Sequence, residues 1–136
     1  MPGKAFLDTN VLVYAVTQSD ARAARAEELL IAGGVVSVQI LNEFAAVARR
    51  KLQLPWAEVA EAVVAFLVLC PSPVPITLEI HQAARTIAEN LGCNIYDALV
   101  LAAALDAGCD VLYSEDFQDG QKIEGKLTVR NPFGRP

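Results

Sequence analysis

The chain is 136 residues long, 54% hydrophobic and 20% charged, with a formal net charge of −5. That length suits a single domain, and the apolar content excludes disorder as the main state. The negative balance counts against a module that grips nucleic acid by charge alone. It does not count against an acidic site whose local sign a divalent cation reverses.

In chain order, Lys4–Leu7 is short and apolar and stops at Asp8, the pattern of a buried strand. Val11–Val16 begins a helix with Asp8 or Thr9 as its cap, and Asp20 caps a second helix over Ala21–Ala32, ended by Gly33-Gly34. The β-branched run Val35–Val38 reads as the second strand. Gln39–Leu52 is amphipathic and helical, with Arg49, Arg50 and Lys51 in its last turn, where cations suit the helix dipole. Pro55 opens a helix at its first position, running to Leu69. Pro71, Pro73 and Pro75 break it, and Val74–Thr77 reads as a short edge strand.

Leu78–Leu91 is helical, with Gly92 as its stop. Tyr96–Ala107 is a helix apolar on nearly every face, hence central, and Gly108 ends it. Val111–Tyr113 and Leu127–Arg130 complete the strands. Strands alternating with helices predict an α/β fold with a parallel sheet between helical layers, and ligands in such folds bind beyond the carboxyl ends of the strands. The longest apolar run, Ala62–Cys70, is too short to span a bilayer, and the N-terminus lacks a signal-peptide core, so a cytoplasmic protein without a membrane segment is expected. Cys70, Cys93 and Cys109 are odd in number and scattered, and with His81 alone they make no zinc site; reduced thiols are the expectation. A Ser-His-Asp or Cys-His system would have to rest on His81 alone.

The informative carboxylates are those in apolar company, because burying a charge is costly unless it is paired or bound to metal. Asp8 ends the first strand directly after Ala5-Phe6-Leu7, with a helix cap as the competing role. Glu43 shares a helix face with Ile40, Phe44 and Val47, so it interrupts an apolar stripe; pairing with an arginine is the competing role. Asp97 opens the most apolar helix, again with capping as the alternative, and Asp116 lies just past the strand Val111–Tyr113. Glu115 and Asp119, close by, fit a solvated acidic turn. A parallel sheet brings Asp8, Glu43 and Asp116 to one edge. Asp97 begins a helix that leads into a strand, and topology alone does not deliver it there. Crowded carboxylates repel one another; magnesium, which takes oxygen ligands and keeps waters, relieves this and activates phosphodiester hydrolysis.

Four segments, Phe6–Leu12, Val38–Phe44, Ile95–Ala104 and Val111–Gly120, with the tail Val129–Phe133, resemble the PIN-domain family, and within it the VapC-type toxins of type II toxin–antitoxin systems. The resemblance spans essentially the whole chain, 1–136, as one PIN-like nuclease domain. It implies a three-layer α/β fold with a central, mostly parallel sheet flanked by helices, and an endoribonuclease dependent on Mg²⁺ or Mn²⁺. Asp8, Glu43, Asp97 and Asp116 match the family's four acidic positions. The resemblance gives direct metal contact to Asp8 and Asp97, and completion of the shell, partly through water, to Glu43 and Asp116. Ser114 stands where the family often has Thr, and Asp119 is a candidate to share the role of Asp116. Similar proteins are homodimers held inactive by a cognate antitoxin whose basic side chain enters the carboxylate cluster, and they leave 5′-phosphate and 3′-hydroxyl ends on RNA. Arg22, Arg25, Arg49, Arg50 and Lys51 are the candidates for the RNA backbone. A non-catalytic PIN-like scaffold is one alternative. A haloacid-dehalogenase-type phosphatase is the other, but it needs Asp-x-Asp where this chain has Asp8-Thr9-Asn10.

Overall fold

Two apolar runs, Ala5–Leu7 (β1) and Val111–Tyr113 (β2), pair in parallel in the computed structural model, which describes residues 3–17 and 21–134. The remaining elements are α1 (Thr9–Val16), α2 (Ala21–Ala32), α3 (Val38–Arg50), α4 (Trp56–Leu69), α5 (Leu78–Leu91), α6 (Ile95–Asp106), β3 (Lys122–Ile123) and β4 (Leu127–Arg130). The strand order is β1-β2-β4-β3, with β2 and β4 parallel and β3 antiparallel to β4. Helices α1 to α4 pack among themselves and α5 packs on α6, which makes a three-layer α/β arrangement around the sheet. The core holds Phe6, Leu12, Ile40, Leu101 and Leu112, none of them solvent-exposed, and an edge-to-face pair, Phe44 on Phe66, with centroids 4.9 Å apart. No helix among the described residues is long and apolar enough to cross a membrane.

Three expectations about elements need correction. The run Val35–Val38 is not a strand: it contributes a single bridge from Val35 to Phe6 and another from Ser37 to Val74, after which α3 begins at Val38. The reason is Ser37. Its hydroxyl accepts from the Ile40 N–H at 3.1 Å and so caps the helix earlier than the β-branched run suggests. Likewise Val74–Thr77 shrinks to that one bridge, and Pro55 is the residue before α4 rather than its first. The short β3 is an addition. It pairs with β4 across the three-residue turn Glu124-Gly125-Lys126, in which the Lys126 N–H bonds the Ile123 carbonyl and Glu124 and Gly125 take positive φ (52° and 67°). The cap assigned to Asp20 lies outside the described residues.

Strands β1 and β2 both run out into acidic segments at the sheet's carboxyl edge. The β1 strand ends directly at Asp8, whose N–H reaches the Tyr113 carbonyl, and β2 runs out into Ser114, whose N–H reaches the Arg130 carbonyl. Helix α6 arrives by return. Its carboxyl end turns through Gly108 (φ +73°) and delivers Asp110 to the amino end of β1, where Asp110 N–H bonds the Lys4 carbonyl and Lys4 Nζ bonds the Ala107 carbonyl. A helix of about 18 Å that ends at the amino edge must start near the carboxyl edge, which is how Asp97 gets there.

Candidate active site

Asp8 is 4% exposed and is the acid that β1 delivers. It precedes α1 with extended backbone, and its Oδ1 accepts from the Thr9 N–H at 2.7 Å. Its Oδ2 accepts from Ser114 Oγ at 2.6 Å, a fully buried hydroxyl at the end of the neighbouring strand β2. Burial pushes the Asp8 carboxyl up to about 6; the bonds from Ser114 and Thr9 oppose this, and the charges of Asp116 and Glu43 add to it. The residue that caps α1 is thus also a buried carboxyl with a raised pKa.

Ser114 is a hub. Besides donating to Asp8, its oxygen accepts from the Asp116 N–H at 3.0 Å and faces Asn10 Nδ2 at 3.5 Å. Asn10 also donates to Asp116 Oδ2 at 3.2 Å, which fixes an exposed carboxylate beside the buried one. The remaining oxygen, Asn10 Oδ1, is buried without a partner among the described residues. Glu43, half-buried on α3, accepts from Thr9 Oγ1 at 2.8 Å and Gln39 Nε2 at 3.5 Å; no arginine pairs with it among the described residues. Asp97 is not the cap of α6. Asn94 is: its Oδ1 accepts from the Asp97 N–H at 2.9 Å while its Nδ2 donates back to Asp97 Oδ2 at 3.1 Å. Burial, then the charge of Asp116, pushes the pKa of the Asp97 carboxyl up from its ordinary value. Asp116 therefore acts on Asp8 and on Asp97 alike, and Asp8 also feels Glu43.

The neighbouring acids divide. Glu115 accepts from the Tyr14 hydroxyl at 2.7 Å, and Tyr14 packs edge-on against Phe133 with centroids 4.7 Å apart, so this acid ties α1 to the acidic loop. Asp119 is exposed and accepts from the Asn131 N–H at 2.9 Å, which holds the C-terminal segment and not the cluster. The thiols of Cys70 and Cys109 are buried, Cys93 is half-buried, and all three are free; His81 is exposed on α5. A cleft of about 440 Å³ opens beside the cluster, lined among others by Asn10, Tyr14, Glu43, Arg50, Lys51 and Asp116.

The residues that sequence reasoning passed over are the small polar ones. Thr9, Asn10 and Asn94 each orient an acid, and the signals were there: Thr9-Asn10 directly follow Asp8, and Asn94 stands at capping distance, three residues before Asp97.

The donor chemistry fits a hard divalent cation. Two carboxylates are held partly against ionisation by burial and by a shared neighbour, and an amide oxygen is left unpaired. Among the described residues no group of three acidic, histidine or cysteine side chains is gathered closely enough to hold a metal by itself. Magnesium, bound through one or two carboxylates with waters completing its octahedron, asks for no such cage.

Comparison with known proteins adds the family. The PIN domain model matches residues 5–119. A sarcin-ricin-loop-cleaving VapC toxin of Mycobacterium tuberculosis superposes with a TM-score of 0.65 at 18% identity, covering 83% of this chain and 90% of its own. A toxin–antitoxin complex from Klebsiella pneumoniae gives 0.72 at 20% identity, covering 96% and 98%. A VapBC complex of Rickettsia felis bound to a fragment of promoter DNA gives 0.66 at 21%, covering 93% and 97%. No curated protein matches in sequence.

Proposed function

The chain belongs to the PIN-domain family, and from that premise we propose that it is a divalent-metal-dependent endoribonuclease, the cytoplasmic toxin of a type II toxin–antitoxin pair. The observation that supports this reading is Asp116, whose charge reaches both Asp8 and Asp97 and disfavours ionisation of each. Asp8 and Asp97 would hold Mg²⁺ or Mn²⁺, with Asp116 and Glu43 completing the shell. The cation, when bound, activates water and neutralises charge developing on the scissile phosphate.

The protein's own groups supply position. Ser114 and the Thr9 N–H hold both oxygens of Asp8, Asn94 holds Asp97, Asn10 holds Asp116 and the Thr9 hydroxyl turns Glu43 toward the cleft. Such locked carboxylates need no reorganisation during reaction. Water oriented by Glu43 and Asp116 attacks phosphorus in line and yields its proton to a carboxylate. The P–O3′ bond breaks, leaving a 5′-phosphate on one fragment and, after proton uptake by the leaving oxygen, a 3′-hydroxyl on the other.

Partners follow the same reading: an antitoxin, and a second copy of the chain. The outward face of α4 leaves Val64 and Val68 63% and 74% exposed, and Ile31 on the packed neighbour α2 is 74% exposed. Such an apolar surface suits the antitoxin.

Purified Asp8→Asn and Asp97→Asn proteins test the assignment. Both are expected to stay folded, to lose RNA cleavage by about 100-fold or more, and to lose growth inhibition on expression. Full cleavage in either one removes the proposed metal pair.

A further inference from the structure

Five cations stand on helices near the cluster, and the structure separates them. Arg22 lies over the Tyr14 ring, 5.5 Å from its centroid. Arg25 donates to the Pro132 carbonyl at 3.3 Å and pairs with Glu28. Arg49 bonds the Leu54 carbonyl at 3.0 Å and stacks on Trp56. Arg50 and Lys51 differ: both are exposed, neither makes a side-chain hydrogen bond or ion pair among the described residues, and both line the cleft beside the carboxylates.

The cleft is ordered by charge. Glu43, Ala46, Val47 and Arg50 follow the i, i+3, i+4, i+7 pattern that places them on one face of α3. The acid and the cation are therefore separated by about 10 Å of helix. Between them the walls are apolar: Ala46 and Val47 from α3, Val13 and the Tyr14 ring from α1. Ala46 keeps the passage open by being small. Carboxylates, then an apolar slot, then free cations is the order that a polynucleotide presents as reacting phosphate, base and next phosphate. In a chain of net charge −5, two cations left without acidic partners at the mouth of an acidic site call for an anionic occupant.

We propose that this cleft is an RNA subsite: it takes the nucleotide adjoining the scissile bond, its base between Val13, Tyr14 and Ala46 and its outer phosphate on Arg50 and Lys51. The proposal rests on the ribonuclease reading above. A base seated in such a slot must be unstacked, so single-stranded RNA is the fitting probe.

The test is steady-state cleavage of a mixed-sequence single-stranded RNA with Mn²⁺ over a salt series, for the wild-type chain, Arg50→Ala/Lys51→Ala, Ala46→Trp and, as a control, Arg25→Ala. The double variant is expected to raise KM about 10-fold with kcat within about 2-fold, the mark of lost uniform binding. It should also flatten the salt dependence of log(kcat/KM) by about 1.4, from two lost phosphate contacts on a single strand. Ala46→Trp, a change at an exposed position, should raise KM without altering that slope, and Arg25→Ala should change neither. Normal KM and slope in the double variant, with cleavage intact, overturns the subsite and leaves the ribonuclease reading standing. A wild-type chain that does not cleave RNA overturns the reading itself.

Discussion

A carboxyl whose pKa burial lifts to about 6, as at Asp8, keeps its proton in the folded chain over a range where the unfolded chain has lost it. Between about pH 4 and 6 the folded state binds more protons than the unfolded state, so this group's contribution to stability falls as pH rises and is fully unfavourable above 6. The cost is on the order of 2–3 kcal/mol. Asp8→Asn removes it while leaving an amide that can serve Ser114 and Thr9. In metal-free buffer at pH 7.5 the variant is expected to melt about 8 °C above the parent, with the gap closing toward pH 4. Thermal melts followed by circular dichroism from pH 4 to 8 measure this, and a variant less stable at every pH contradicts it. Asp8 was legible in the sequence for the reason that makes it costly: it is a charge in apolar company. Asn10 and Ser114 were not legible in their roles, because a small polar side chain announces nothing until the chain brings together partners that lie 104 residues apart.

At the scale of elements, the amino end of α6 joins stability to the site. Asn94 caps the helix and grips Asp97 in the same exchange. Asn94→Ala should cost about 1 kcal/mol and lower the melting temperature by about 3 °C, with a larger proportional loss of cleavage because Asp97 is released. Asn94→Asp should keep the cap and the stability, yet set a second negative charge against Asp97. Like charge raises a carboxyl's pKa, so the acid limb of the pH–rate profile should move upward; an unmoved limb rules out Asp97 as an ionised participant. The same helix shows what chain patterns reveal. Its apolar length and the Gly108 stop were readable, whereas Asn94 went unread as its cap because Asp97, three residues on, was weighed between capping and the site. The strand over Val35–Val38 failed from the opposite conflict, since β-branched side chains favour extension and Ser37 starts a helix inside the run. Two-residue β3 carried no periodicity to read; its one signal was the Glu124-Gly125 turn.

For the molecule as a whole, the charge of Asp116 opposes ionisation of both Asp8 and Asp97, so the fold sets together charges that it would separate if stability alone decided their placement. Cation binding should offset that strain. A divalent ion at 100 times its dissociation constant adds about 2.7 kcal/mol to a state that alone binds it, a rise of about 8 °C for a chain of this length. Sodium chloride of equal ionic strength, which only screens, should give much less. Asp8→Asn separates the two contributions: it starts higher without metal, having lost the repulsion, and gains little when Mn²⁺ is added, having lost a ligand. A parent chain whose melting temperature does not move in millimolar Mn²⁺, while Asp8→Asn still melts higher, would mean that the carboxylates are strained for another purpose, such as receiving a basic side chain from a protein partner.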